Sequence, residues 1–225
     1  MAPELLTLLL ANLAFVASHF AMSHPLRAPM VSVLGASGFL GVYSLVSLAL
    51  IVWVASAFKA APPTDLGGSG DVGWIFATAL TLPAMVLLAG SFAGNPALPD
   101  PTGKTKIPAQ AKGVFRVTRH PMMWGIGLWA IAHVALWWST RTLITAGAMG
   151  VLALGGAYLQ DAKKRALMGD AWAGWEAQTS YWPRLGEVFR VGWLWWAVGG
   201  AVWLAATYGH IGAGGIPAGV WLWVG

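Results

Sequence analysis

The stretch that decides the fold is FRVTRHPMMWGIGLWAIAHVALWW, residues 115–138. Two arginines, Arg116 and Arg119, lead into Pro121, and an apolar run follows that carries no Asp, Glu, Lys or Arg. Proline is well tolerated in the first turn of a helix, where its missing N–H would have had no partner. The pattern therefore predicts a helix over about 121–139 that starts at a cationic membrane surface and crosses apolar medium.

The rest of the chain repeats this grammar. Of 225 residues, 57% are hydrophobic and 9% are charged, whereas a soluble domain carries about 25% charged residues. Fifteen Trp and 29 Gly fit a membrane protein, because Trp gathers at interfaces and Gly is frequent in membrane helices. Six apolar segments have the length of a span, at 3–23, 38–58, 72–93, 121–139, 142–160 and 190–208. The expected fold class is all-α, a polytopic transmembrane bundle of about six helices forming one domain over residues 1–225. The tail beyond His210 is Gly-rich and then apolar, and is expected to lie at the interface. The N-terminal segment has no Lys or Arg before Arg27. It reads as a retained first helix, since a signal peptide opens with basic residues.

Loop charge sets the orientation. One basic residue in the first loop, five in the third and five in the fifth oppose Lys59 and Arg141 on the other side. The positive-inside rule places the basic loops in the cytoplasm, which for a bacterial chain makes the membrane the inner one and puts both termini on the periplasmic side. That distribution also explains the net charge of +5 without a nucleic-acid partner. The chain has no Cys, which excludes disulfides, zinc–thiolate sites and thiolate-ligated haem. In the fifth loop, 161–179 is rich in helix formers, with Gly169 as a break and Trp172 and Trp175 on one face. It predicts an extension of the fifth helix followed by a short interfacial helix lying on the membrane.

Ionisable residues inside a span are costly and are functional candidates by default. His133 lies about 18–20 Å beyond the start of its helix at 1.5 Å per residue. It reads either as a histidine bonded to a neighbouring helix or as a metal or haem ligand. Trp129 and Trp137, four residues to either side, share its face. His19 is near the end of the first helix, and His24 stands beside Pro25. Arg119 and His120 mark the cationic surface and suit an anion or headgroup. His120 and His133 point roughly 220° apart and are about 20 Å apart along the helix, so one metal cannot take both. A bis-histidine haem must draw on two helices. His133 with His19 is the first pairing and His210 the next, although His19 and His133 differ in depth by about 10 Å, a gap that helix tilt has to close. Tyr43 and Ser47 could hydrogen-bond a ligand, and Asp161 with Arg165 reads as an ordinary (i, i+4) ion pair.

Three stretches in order, SHFAMSHPLR with LGASGFLGVYSLVSLALIVW, FRVTRHPMMWGIGLWAIAHVALWW, and DAKKRALMGDAWAGWEAQTSYWP, resemble the NnrU family of bacterial membrane proteins, to which 15-cis-zeta-carotene isomerase is related. The resemblance implies haem b held by His19 and His133, with Arg119 and His120 at the cytoplasmic mouth of the site. It implies a link to nitrogen-oxide metabolism and denitrification, or redox-type cis–trans isomerisation of an apolar polyene. The partners expected are membrane lipid and such an apolar small molecule. Two alternatives stand beside it: a non-enzymatic accessory or assembly protein with structural histidines, and an S-adenosylmethionine-dependent methyltransferase. The last rests on a more distant resemblance to isoprenylcysteine carboxyl methyltransferases, from which Met123 and the basic run Lys163–Lys164–Arg165 depart.

Overall fold

The computed structural model describes residues 1–99 and 106–224, so Pro101 and Lys104 of the third loop lie outside the described residues. The elements are α1 (Pro3–Ser23), α2 (Arg27–Ala60), α3 (Gly70–Gly90), α4 (Pro121–Leu136), α5 (Thr140–Met168), α6 (Asp170–Gln178), α7 (Trp193–Gly214) and α8 (Trp221–Val224). Short 3-10 turns occupy Gly113–Arg116 and Leu185–Arg190. No strand occurs among the described residues.

Four helices, α1, α2, α3 and α5, are long and apolar enough to cross a membrane. Two more belong to the six segments expected, and both differ from that simple picture. α4 has 16 residues, about 24 Å against a hydrocarbon core of about 30 Å. It stops at Leu136 rather than at 139 because Trp137 turns left-handed (φ 47°) and the Ser139 side chain accepts from Thr142 N to start α5. α7 has 22 residues, Trp193–Gly214, and lies further toward the C-terminus than the expected 190–208. α2 starts earlier than expected, at Arg27, and breaks at Gly35, whose φ of 70° a side chain would resist. Leu45, Leu48 and Val52 of α2 point outward, as lipid-facing residues do.

The helices neighbour one another in a row, α2–α1–α5–α4–α3–α7. Two glycines allow the closest approaches in it. A Cβ on Gly125 of α4 would lie 2.8 Å from the Ala84 carbonyl of α3, and one on Gly199 of α7 would lie 2.6 Å from Val86 Cα. Small residues at such crossings let backbones meet, which is how membrane helices associate.

The loop before α4 and the segment after α6 join at one end of the bundle. Arg119 N donates to Ser180 O at 2.8 Å, and Arg184 N to Val117 O at 2.9 Å. The third and fifth loops therefore share a face, as their charge predicted. Gly169 does break the helix between α5 and α6, with φ 52°. α6, however, is not laid on the membrane by its tryptophans. Trp172 and Trp175 are both 0% exposed and pack in a core with Val86, Val114 and Phe115. The loops fold over α6 and supply the apolar surface that lipid was expected to supply. The C-terminal tail also returns to the protein, since Trp221 Nε1 donates to Thr207 Oγ1 at 3.1 Å.

Candidate functional site

His133 lies one turn from the end of α4, and His210 one turn from the end of α7. Their rings are 6.3 Å apart between centroids and inclined by 30°. Each Nδ1 donates to the carbonyl four residues back, His133 to Trp129 O and His210 to Ala206 O, both at 2.8 Å. That bond fixes the tautomer, so in each neutral ring the lone pair sits on Nε2. Neither Nε2 has a hydrogen-bond partner among the described residues. The Trp129 ring lies 4.2 Å from that of His133, the shared face the spacing predicted. Trp137 is beyond the helix end and is half exposed.

His19 sits in a separate environment between α1 and α2. Its Nδ1 donates to Phe15 O at 2.8 Å, and its Nε2 is 3.3 Å from Ser47 Oγ. Ser47 has one hydroxyl hydrogen and a shorter bond to Tyr43 O, 2.7 Å, so it occupies His19 Nε2 only weakly. The Tyr43 ring lies 5.2 Å from that of His19. Tyr43 and Ser47, marked in the sequence as possible ligand partners, thus surround His19.

Neighbouring contacts give the relative depth. A Cβ on Gly155 of α5 would meet Phe20 Cζ at 3.3 Å, and one on Gly127 of α4 would meet Leu154 Cδ2 at 2.9 Å. His19 is therefore near the level of Gly127, and His133 is six residues further along α4, about 9 Å. α5 contacts both α1 and α4. The depth difference anticipated from sequence is present.

A second constellation closes the basic end. Arg119 donates to Asp161 from Nε at 2.9 and 3.0 Å and from Nη2 at 2.5 Å. His120 Nε2 donates to Asp161 Oδ1 at 2.8 Å, which leaves His120 Nδ1 buried without a partner. Glu176 lies 3.5 Å from Arg119 Nη2 and pairs with Arg165 at 2.7 Å. The (i, i+4) pair expected of Asp161 and Arg165 is thereby replaced, because each finds a partner on another element. Beside the network is a cleft of about 510 Å³ lined by Trp124, Leu154, Tyr158, Tyr181 and Trp182, with Arg119, Asp161 and Arg165 at its polar edge. Burial pushes the Tyr181 hydroxyl above its usual pKa, and the Asp161 charge adds to this. Tyr181 stays a neutral donor, to Leu154 O at 2.9 Å. Arg119 and His120 are 9% and 2% exposed. They are set inside this network, where Asp161 accepts from both and Glu176 pairs with Arg165.

No local pattern reveals the Arg119–Asp161–Glu176 linkage, since its members lie in the loop before α4, in α5 and in α6. The one signal available is an Asp that directly follows a long apolar run, Asp161 after 142–160.

The family model that matches this chain is described as NnrU protein and covers residues 7–218. The chain belongs to that family. No curated protein and no solved structure shows a significant match.

Proposed function

We propose that this NnrU-family member is a haem b-binding protein of the bacterial inner membrane, its basic loops in the cytoplasm, with a redox-type role in nitrogen-oxide metabolism. The observation that carries the reading is the state of the intramembrane histidines. His19, His133 and His210 each commit Nδ1–H to a backbone carbonyl. Metal-ligating histidines are held in this way, with the second nitrogen left as the ligand. A histidine kept only for helix packing would spend its second nitrogen on a neighbouring helix, and His133 does not.

When bound, haem supplies one-electron chemistry at its iron. The residues that fit it are His133 with a second histidine, either His19, as the family resemblance implies, or His210. Trp129 flanks the His133 ring and would hold its orientation, and the surrounding apolar helices exclude water.

A second reading is favoured by the aromatic cleft. Its Trp, Tyr and Leu lining with a charged edge suits a long apolar molecule with a polar end, as in cis–trans isomerisation of a polyene. The cleft borders Trp124, nine residues before His133, so about 14 Å separates its floor from the histidine along α4.

The test is an absorption spectrum of protein purified from cells supplied with haem. A Soret band that shifts on dithionite reduction, at about one haem per chain, is expected. Haem-replete preparations without that band would remove the reading.

A further inference from the structure

Resting on the haem reading, we infer that His210, and not His19, is the residue that shares the iron with His133. The first ground is spacing. Two imidazoles on opposite sides of one metal stand roughly 6 Å apart between ring centres, from two metal–nitrogen bonds of about 2.0–2.1 Å and about 1 Å from each nitrogen to its ring centre. The His133 and His210 rings are 6.3 Å apart, at 30°.

The second ground is the donor set. Both rings have Nδ1 tied to their own helix at 2.8 Å and Nε2 without a protein partner. Each ring thus presents its Nε2 lone pair as the one open ligand position, as metal-binding histidines do.

The third ground is depth. α4 and α7 both pack on α3, which serves as a ruler. Ala135 O of α4 lies 3.5 Å from a Cβ on Gly73, so His133 is near the level of residues 75–76. Trp203 of α7 donates to Thr81 Oγ1 at 2.9 Å and Gly199 meets Val86, so His210 falls near the level of residue 75. The two histidines stand level on helices that flank α3. His19 is about 9 Å nearer the basic end, faces Ser47 and Tyr43 of α2, and has α5 between its helix and α4.

The experiment compares purified wild type, His210→Ala, His133→Ala, His19→Ala and His210→Met, each reconstituted with hemin in detergent and read by absorption and electron paramagnetic resonance. Wild type and His19→Ala are expected to give a six-coordinate low-spin signal. His210→Ala is expected to lose it in favour of a high-spin signal, and added imidazole to restore it. His210→Met keeps a sixth ligand in a similar volume, and should remain low-spin with a raised reduction potential. This guards against mere misfolding of the Ala variant. A low-spin spectrum that survives in His210→Ala but is lost in His19→Ala would overturn the inference and leave haem binding intact. A wild type that takes up hemin but gives only a high-spin signal would overturn the inference alone, and one that takes up no hemin would overturn both.

Discussion

Arg119 and Asp161 are joined across 42 residues of sequence by three hydrogen bonds of 2.5–3.0 Å. The pair anchors the loop before α4 to the end of α5. Their side chains are only 11% and 5% exposed. Removing one partner strands a charge away from water, which typically costs about 3–5 kcal/mol. Asp161→Ala is therefore expected to lower the melting temperature in detergent sharply, with Glu176 compensating only in part from 3.5 Å. Replacing both, as Arg119→Met with Asp161→Leu, should recover more than half of the loss, since no charge is then left unpaired. A double variant no more stable than Asp161→Ala would show that the pair does more than neutralise itself.

Trp175 fills the core under α6, its ring 5.6 Å from that of Phe115. Emptying that volume with Trp175→Ala should cost about 3–5 kcal/mol. The indole N–H is buried and unpartnered, so Trp175→Phe gives up volume but also removes an unsatisfied donor. It should cost less than half as much in a thermal unfolding assay. Equal losses for the two variants would mean that the N–H is hydrogen-bonded inside the folded protein, through a buried water for example.

Gly199 and Gly200 are adjacent on α7 but meet different surroundings. A Cβ at 199 runs into the Val86 backbone, whereas one at 200 meets nothing within 4 Å. Gly199→Ala should therefore overpack the α3–α7 contact at about 1–3 kcal/mol. Gly200→Ala should be neutral or stabilising by about 0.5–1 kcal/mol, as for a helical glycine. Because Gly199 sets how α7 sits on α3, its substitution should also disturb the His133–His210 spacing, visible as a changed haem spectrum. Gly200→Ala should leave that spectrum alone.

The helices were legible because hydropathy and length report directly on a bilayer, and Pro121 and Gly169 punctuate as their backbone chemistry requires. What could not be read was which helix meets which. Asp161 looked like the partner of Arg165 because periodicity sees only neighbours on one helix; the folded loops gave Asp161 to Arg119 and Arg165 to Glu176. Trp172 and Trp175 were correctly placed on one face, but whether lipid or protein covers that face depends on how the loops fold over it. His210 ranked last among the intramembrane histidines for the same reason. Its nearness to His133 follows from α3 aligning α4 and α7, which no local pattern encodes.

Glu187 bridges the two 3-10 turns, accepting from Arg116 Nε at 2.7 Å and from Arg190 Nη1 at 3.2 Å. The Arg116 hydrogen bond holds its carboxyl below the usual 4.5, with the charges of Arg116 and Arg190 assisting. A carboxyl depressed on folding stabilises above its unfolded pKa, and that stabilisation fades as pH falls through the folded value. The melting temperatures of wild type and Glu187→Gln should therefore differ by a constant amount between about pH 6 and 8 and draw together as pH falls below 4.5 and through the depressed folded value. Added salt should shrink the difference, as for any exposed pair. A gap that persists in acid would assign the role to hydrogen bonding alone.

His120 offers one nitrogen to Asp161 and buries the other without a partner. The two nitrogens should separate in mutants. Glutamine can extend an amide N–H to the position of Nε2, so His120→Gln keeps the bond to Asp161 and should cost about 1 kcal/mol or less. Leucine provides no donor and leaves Asp161 with one hydrogen-bond partner fewer. His120→Leu should cost about 1–3 kcal/mol, short of the Asp161→Ala loss because Arg119 remains in place. If the unpartnered Nδ1 serves a ligand, the ranking holds for stability but not for function. Both variants would then lose function together while His120→Gln stays folded, since neither restores an acceptor at Nδ1. Thermal unfolding and a functional assay on the same preparations separate these outcomes. A His120→Gln variant both stable and active would confine the role of this histidine to holding Asp161.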